Sequence, residues 1–150
     1  MNRNKAALER MVAHHHMMVA QLGSRVARLP HAAEDGYLFP AIGAVQSYLD
    51  SEVFPDARAQ EKVVYTAARA AGLSALVEEM VVEHRRLFAE AEKLSDIRAA
   101  GDALDTARRI ASLFAKHAEK ENAFILTPLA GDPKVDLASL LEGMERIVAG

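Results

Sequence analysis

Apolar residues recur every three or four positions along four long stretches of the chain, which is the spacing of one face of an α-helix. The stretches run from Lys5 to Leu29, from Pro40 to Ala71, from Ser74 to Ser95 and from Ala99 to Leu126. A shorter stretch of the same kind runs from Val135 to Val148. The pattern predicts four long helices and a short fifth one.

Helix-breaking residues fall between these stretches. Pro30 predicts the end of the first helix, and residues 31–38 read as a connector. Pro55 lies inside the second stretch, but the apolar pattern resumes beyond it, so a kink is expected there rather than an end. Ser74 is the expected N-cap of the third helix. Short connections between long helices predict an all-α fold, an up-down antiparallel four-helix bundle, in a single domain covering residues 1–150.

Each of the four long helices carries a polar residue on its inward face. An isolated buried charge costs several kcal/mol unless it is paired or bound to a metal, so four such interruptions point to one cation held between the helices. The inward polar residues are His15 on the first helix, Asp56 and Gln60 on the second, His84 on the third, and His117 and Glu121 on the fourth.

Local spacing sharpens two of these assignments. His117 and Glu121 are four residues apart and therefore share a helix face, and Phe114 and Phe124 on the same stripe favour an inward orientation. Residues 14–16 are three consecutive histidines, which spread over about 200° of a helix and cannot all bind one ion. Only His15 lies on the apolar stripe and is the expected metal ligand, and His14 is the second candidate.

Composition narrows the class of protein. The 150 residues are 51% hydrophobic and 26% charged, as in ordinary globular domains. A net charge of −3 argues against nucleic-acid binding, and no apolar run approaches the roughly 20 residues of a membrane span. The chain has no cysteine and the N-terminal residues lack a secretory pattern, so a cytoplasmic location and nitrogen or oxygen metal ligands are expected.

Four motifs together resemble the hemerythrin-like proteins, which carry an HHE cation-binding domain. They are His14-His15, the segment from Glu52 to Glu61, the triplet Glu83-His84-Arg85, and the segment from His117 to Pro128. The resemblance covers nearly the whole chain and implies a four-helix bundle that holds non-haem iron. It also implies that His15, His84, His117 and Glu121 are metal ligands.

The second helix departs from the family pattern. Asp56 and Gln60 stand where the family typically has a histidine followed by a glutamate, and Met80 stands where oxygen carriers have a further histidine. A neutral Gln60 is a poor bridge between two ions, whereas three histidines with one or two carboxylates suit a single Fe²⁺, Zn²⁺ or Mn²⁺. Asp56 and Gln60 stay candidate ligands, and a mononuclear and a weakened di-iron site both remain open.

The expected role is iron binding linked to dioxygen, peroxide or nitric oxide handling, to sensing, or to iron storage. One alternative is a degenerate bundle that binds no metal and acts through protein–protein contacts. Another is an oxidase or peroxidase that acts on a small molecule, so enzymatic activity is left open. The chain is expected to be a monomer or a homodimer.

Overall fold

The computed structural model describes residues 2–150, and all regular elements within this range are helices. Two five-residue π-helical segments, Leu49–Val53 and Asn122–Leu126, continue the helices that precede them. No helix within residues 2–150 combines the length and apolar character that crossing a membrane requires. The α-helices are α1 (Asn2–Ala27), α2 (Leu29–Glu34), α3 (Leu38–Tyr48), α4 (Phe54–Lys62), α5 (Val64–Ala70), α6 (Ser74–Asp96), α7 (Ala100–Glu121), α8 (Thr127–Gly131) and α9 (Leu137–Ala149).

Four helical rods form a bundle: α1, the interrupted rod α3–α5, α6, and α7 with its continuation into α8. The rods α6 and α7 run in opposite directions. Glu83 contacts His117 and Glu90 contacts Arg109, so residue numbers rise on α6 as they fall on α7. The short helix α9 packs against α1 and α4. The predicted all-α bundle with a short fifth C-terminal helix is confirmed.

The core consists of two apolar clusters separated by a polar layer. Met11 belongs to one cluster and Met18 to the other, and buried His15 lies between them on α1. His84 and Glu121 occupy the same intermediate level on α6 and α7. Burial of large apolar side chains on both sides holds the four rods together and fixes the level at which the polar residues meet.

Several helix boundaries lie a residue or two from their approximate predicted positions, and the role predicted for Pro30 is wrong. The first helix ends at Ala27, and Pro30 lies in the first turn of α2 rather than ending a helix. A proline fits there because first-turn N–H groups have no partner within the helix. The predicted connector is thus mostly helical, and the next helix begins at Leu38 instead of Pro40. Leu73, without a side-chain cap, occupies the N-cap position expected for Ser74.

Each π-helical segment ends just before the residue that precedes a proline, with Phe54 or Thr127 between the segment and the proline. Pro55 is in the first turn of α4, just after Leu49–Val53, and Pro128 is in the first turn of α8, just after Asn122–Leu126. A proline provides no N–H for the helical hydrogen-bond ladder and crowds the preceding turn. A π turn relieves this crowding with one extra residue, so the rod continues where a break would otherwise occur. Both segments adjoin the polar layer.

Candidate metal centre

The six residues predicted to bind metal lie together around one small cavity in the polar layer. The cavity has a volume of about 10 Å³, room for one water-sized particle. Five of the six residues are buried, and Asp56 keeps 13% of its side chain exposed. The set is His15, Asp56, Gln60, His84, His117 and Glu121. Their proximity is a structural finding, and their role as ligands stays a prediction.

Two of the histidines are oriented by oxygen atoms on their outer side. His15 donates through Nδ1 to Asn122 Oδ1 at 2.6 Å, and His117 donates through Nδ1 to Glu83 Oε1 at 2.8 Å. Lys120 Nζ in turn donates to Glu83 Oε2 at 2.7 Å. An acceptor at Nδ1 keeps the proton on that nitrogen, so the unprotonated Nε2 is the one directed inward. Each imidazole therefore presents a lone pair to the polar layer.

His84 has the same orientation with looser contacts. Its Nδ1 lies 3.3 Å from Glu61 Oε2, without an aligned hydrogen bond, and its Nε2 lies 3.4 Å from the phenol oxygen of Tyr65. Burial and the neighbouring Glu121 raise the pKa of Tyr65, so the metal-free phenol is neutral. Tyr65 is fully buried on α5, just after the interruption of the second rod at Val63.

Carboxylate oxygens surround the inward nitrogens without bonding to them closely. Glu121 Oε2 lies 3.9 Å from His15 Nε2 and 3.6 Å from His117 Nε2. Asp56 Oδ2 lies 3.8 Å from His15 Nε2. Glu121 Oε1 and His117 Nε2 are buried and have no hydrogen-bond partner. Because unpaired buried polar atoms are costly and rare, these two atoms are what a cation between them would satisfy.

The donor atoms are close to one another but do not form a finished coordination shell. Across residues 2–150, no group of three or more His, Asp or Glu side chains is already arranged to hold a metal ion. One reason is that Gln60 Nε2 donates to His15 Nε2 at 2.7 Å and occupies that nitrogen. The donor chemistry fits a metal ion, and side-chain rotations about Gln60 and His15 would have to accompany binding.

The metal-free layer shifts the pKa values of its buried groups in different directions. Burial alone would raise the pKa of Glu121, but the imidazoles of His117 and His15 outweigh burial and lower it. Burial lowers the pKa of His84, and His117 adds to this effect. Burial would also lower the pKa of His117, yet the neighbouring carboxylate of Glu121 raises it overall. Burial raises the pKa of Asp56 from 3.8 to about 6, although His15 opposes the rise.

The sequence pattern fails for Phe124 and holds for the histidine triplet. Phe124 was predicted to face inward but is 52% exposed, because it lies within the π-helical segment that follows α7 and rotates it outward. The side chain of His14 is 43% exposed, and its Nε2 lies 3.7 Å from Asp56 Oδ1 at the rim of the layer. His15 is the buried member of the histidine triplet, as its place on the apolar stripe predicts.

A groove between α1, α4 and α9 leads from the surface to this rim. Its volume is about 580 Å³, and its inner end is formed by His15, Asp56 and Gln60. Met11 and Met144 contribute apolar surface along its length. Three of the six candidate ligands thus line a groove that opens on one side of the bundle.

The comparison with protein families agrees with the fold. Residues 6–130 match the model of the hemerythrin HHE cation-binding domain. The chain therefore belongs to the hemerythrin family of HHE cation-binding domains. No curated protein and no solved structure matches the chain.

Proposed function

We propose that the chain binds a metal ion, iron first among the candidates, between His15, His84, His117 and Glu121. The orientation of the imidazoles is the observation that carries the proposal. An oxygen atom lies beside each Nδ1, at 2.6 Å, 3.3 Å and 2.8 Å in chain order, and each Nε2 faces the polar layer. Histidines that bind metal almost always direct their second nitrogen to such an oxygen, which fixes the tautomer and the ring.

The donor set favours a divalent transition metal. Three imidazoles with one or two carboxylates suit Fe²⁺, with Zn²⁺ and Mn²⁺ as alternatives. Asp56 is the second carboxylate, and Gln60 could bind through Oε1 after its amide turns away from His15. A neutral amide compensates no charge, so the proposal favours one ion over two, although a weakened di-iron site has the same residues available.

Iron held by these residues would supply the chemistry needed to react with dioxygen, peroxide or nitric oxide. The groove that ends at Asp56 and Gln60 supports such a role, since small molecules reach this side of the layer. The proposed function is therefore binding, sensing or removal of one of these molecules, or iron storage. Oxidase or peroxidase action on a small molecule is the enzymatic version. A cytoplasmic location and a monomeric or homodimeric state stay predictions.

Metal analysis tests the proposal. Protein purified without a tag from iron-supplemented cells should carry a transition metal, and Fe²⁺ added without oxygen to the metal-free form should raise the melting temperature. At 100 times the dissociation constant the gain is about 2.7 kcal/mol. For a domain of this size that corresponds to roughly 5–10 °C. The double variant His84→Ala/His117→Ala should lose both the metal and the shift.

One observation favours a second candidate, a metal-free bundle that acts through protein contacts. The bond from Gln60 to His15 occupies a nitrogen that the metal would need. In this case the wild-type protein would contain far less than one equivalent of metal. Chelators would not change its melting temperature, and the double histidine variant would respond as the wild type does.

A further inference from the structure

His15 differs from the other two buried histidines in the group beside its outer nitrogen. Its Nδ1 donates to the side-chain amide oxygen of Asn122 at 2.6 Å, and this acceptor is neutral. The Nδ1 atoms of His84 and His117 lie 3.3 Å and 2.8 Å from carboxylate oxygens. A carboxylate at this place raises the basicity of the imidazole, and a neutral amide does so less. Of the three imidazoles, His15 is therefore the weakest electron donor to a metal.

The inner nitrogen of His15 also has a partner that competes with a metal. Gln60 Nε2 donates to His15 Nε2 at 2.7 Å, and both side chains are buried. His117 Nε2, in contrast, has no hydrogen-bond partner. His15 lines the groove between α1, α4 and α9, whereas His84 and His117 do not. If His15 left a bound ion, its Nε2 would gain a hydrogen bond instead of being buried unpaired, and it would do so on the side of the groove.

We propose that His15 is the exchangeable ligand of this centre and that the neutral amide of Asn122 keeps it exchangeable. The inference rests on the proposed metal site. In the bound form His15 Nε2 is a ligand, and in the exchanged form it accepts the hydrogen bond from Gln60 that the structure shows. His84 and His117, each beside a carboxylate, stay in place. Asn122 is then a positioning residue, because it fixes the ring and tautomer of His15 but leaves Nε2 a weaker donor than a carboxylate would.

The substitution Asn122→Asp tests the role of the amide, since it keeps the shape of the side chain and makes the acceptor a carboxylate. Protein loaded with Fe²⁺ in the absence of oxygen is mixed with a saturating coloured ferrous chelator, and the rate of iron release is recorded. We expect Asn122→Asp to release iron about tenfold more slowly than the wild type. Ala123→Asp is the matched control, because it adds the same charge at an exposed neighbouring position. Its side chain points about 100° away from that of Asn122 and should leave the rate nearly unchanged.

The Zn²⁺-loaded wild type provides a second measurement, which needs no variant. Relaxation dispersion of the ¹⁵N-labelled histidine rings detects exchange between bound and released forms on the microsecond-to-millisecond timescale. We expect exchange at the ring nitrogens of His15 and little at those of His84 and His117. A merely structural role for Asn122 would not single out one of the three imidazoles.

The outcomes separate this inference from the proposed function. A wild type that binds metal but shows no exchange, or equal exchange at the three histidines, overturns the role of His15 and leaves the metal site intact. Equal release rates for Asn122→Asp and the wild type overturn the role of Asn122, and so does equal slowing by Ala123→Asp, because charge alone would then explain the effect. A wild type that takes up neither Fe²⁺ nor Zn²⁺ overturns both proposals. If Asn122→Asp fails to fold, the measurement on the wild type decides.

Discussion

Asp56 is the acid whose ionisation the metal-free fold opposes. Its side chain is 13% exposed, and burial raises its pKa from 3.8 to about 6, with Glu121 acting in the same direction and His15 against it. At about 1.4 kcal/mol per pKa unit, this rise corresponds to about 3 kcal/mol. The folded state holds the proton more tightly than the unfolded chain does. The stability that Asp56 contributes is therefore complete below about pH 4 and is lost as the pH rises through about 6.

The substitution Asp56→Asn removes the ionisation and keeps the shape of the side chain. In metal-free protein, we expect this variant to match the wild type near pH 4 and to exceed its free energy of unfolding by about 3 kcal/mol above about pH 7. Urea unfolding in the presence of a chelator, repeated between about pH 4 and about pH 8, measures the difference. Asp50→Asn is the matched control, because Asp50 is exposed on the same rod and should give no such divergence.

A constant difference between Asp56→Asn and the wild type at every pH would refute this reasoning. So would a wild type that becomes more stable relative to the variant as the pH rises, since that would mean the fold favours the ionised form of Asp56. Saturating Fe²⁺ should reverse the ranking if Asp56 is a ligand, because the wild type alone then offers a negative oxygen to the cation.

Three further changes test other parts of the structure. Glu83→Ala removes the oxygen that orients His117 and should weaken metal binding by about 10- to 100-fold in a chelator competition. Glu90→Ala, on the same helix but away from the layer, is its control, and equal affinities for the two variants would contradict the positioning role. Leu22→Ala empties a fully buried site in the core and should cost about 2–5 kcal/mol in urea unfolding, whereas a loss below about 1 kcal/mol would show that the site is loosely packed. Gln60→Glu replaces the amide that occupies a histidine nitrogen with a carboxylate and should tighten Fe²⁺ binding by about tenfold, or about 1.4 kcal/mol, in calorimetric titration. Weaker binding by this variant would argue that the position does not face the metal.

The sequence predicted the bundle and the polar layer because both depend on regular helical periodicity. His84 interrupts an apolar stripe at steps of three and four residues, and His117 and Glu121 do the same on the neighbouring rod. As long as a helix is regular, such spacing determines which residues face the core. Only the structure shows that the inward polar residues of the four rods meet at one level, because spacing along one helix does not determine the register between helices.

Two physical causes explain the residues that the sequence pattern misplaced or missed. One is irregular helix geometry: Phe124 lies in a π-helical segment, and Tyr65 follows the interruption at Val63, so an even advance of 100° per residue misplaces both. The other is that orienting residues do not need to face inward. Glu83 and Asn122 reach the histidines from the flanks of their helices, where periodicity gives no signal. Only the packing of neighbouring rods brings them into contact.

The groove beneath α9 would influence the rate at which a bound metal leaves the proposed centre more than it influences the affinity for that metal. The proposed ligands lie on the four rods, whereas the open side is walled by α9 and includes Met144. Loosening α9 would therefore change the lifetime of the bound ion and its capture by chelators while leaving the equilibrium constant nearly unchanged. The last helix would then set the time over which this bundle retains or exchanges its cation.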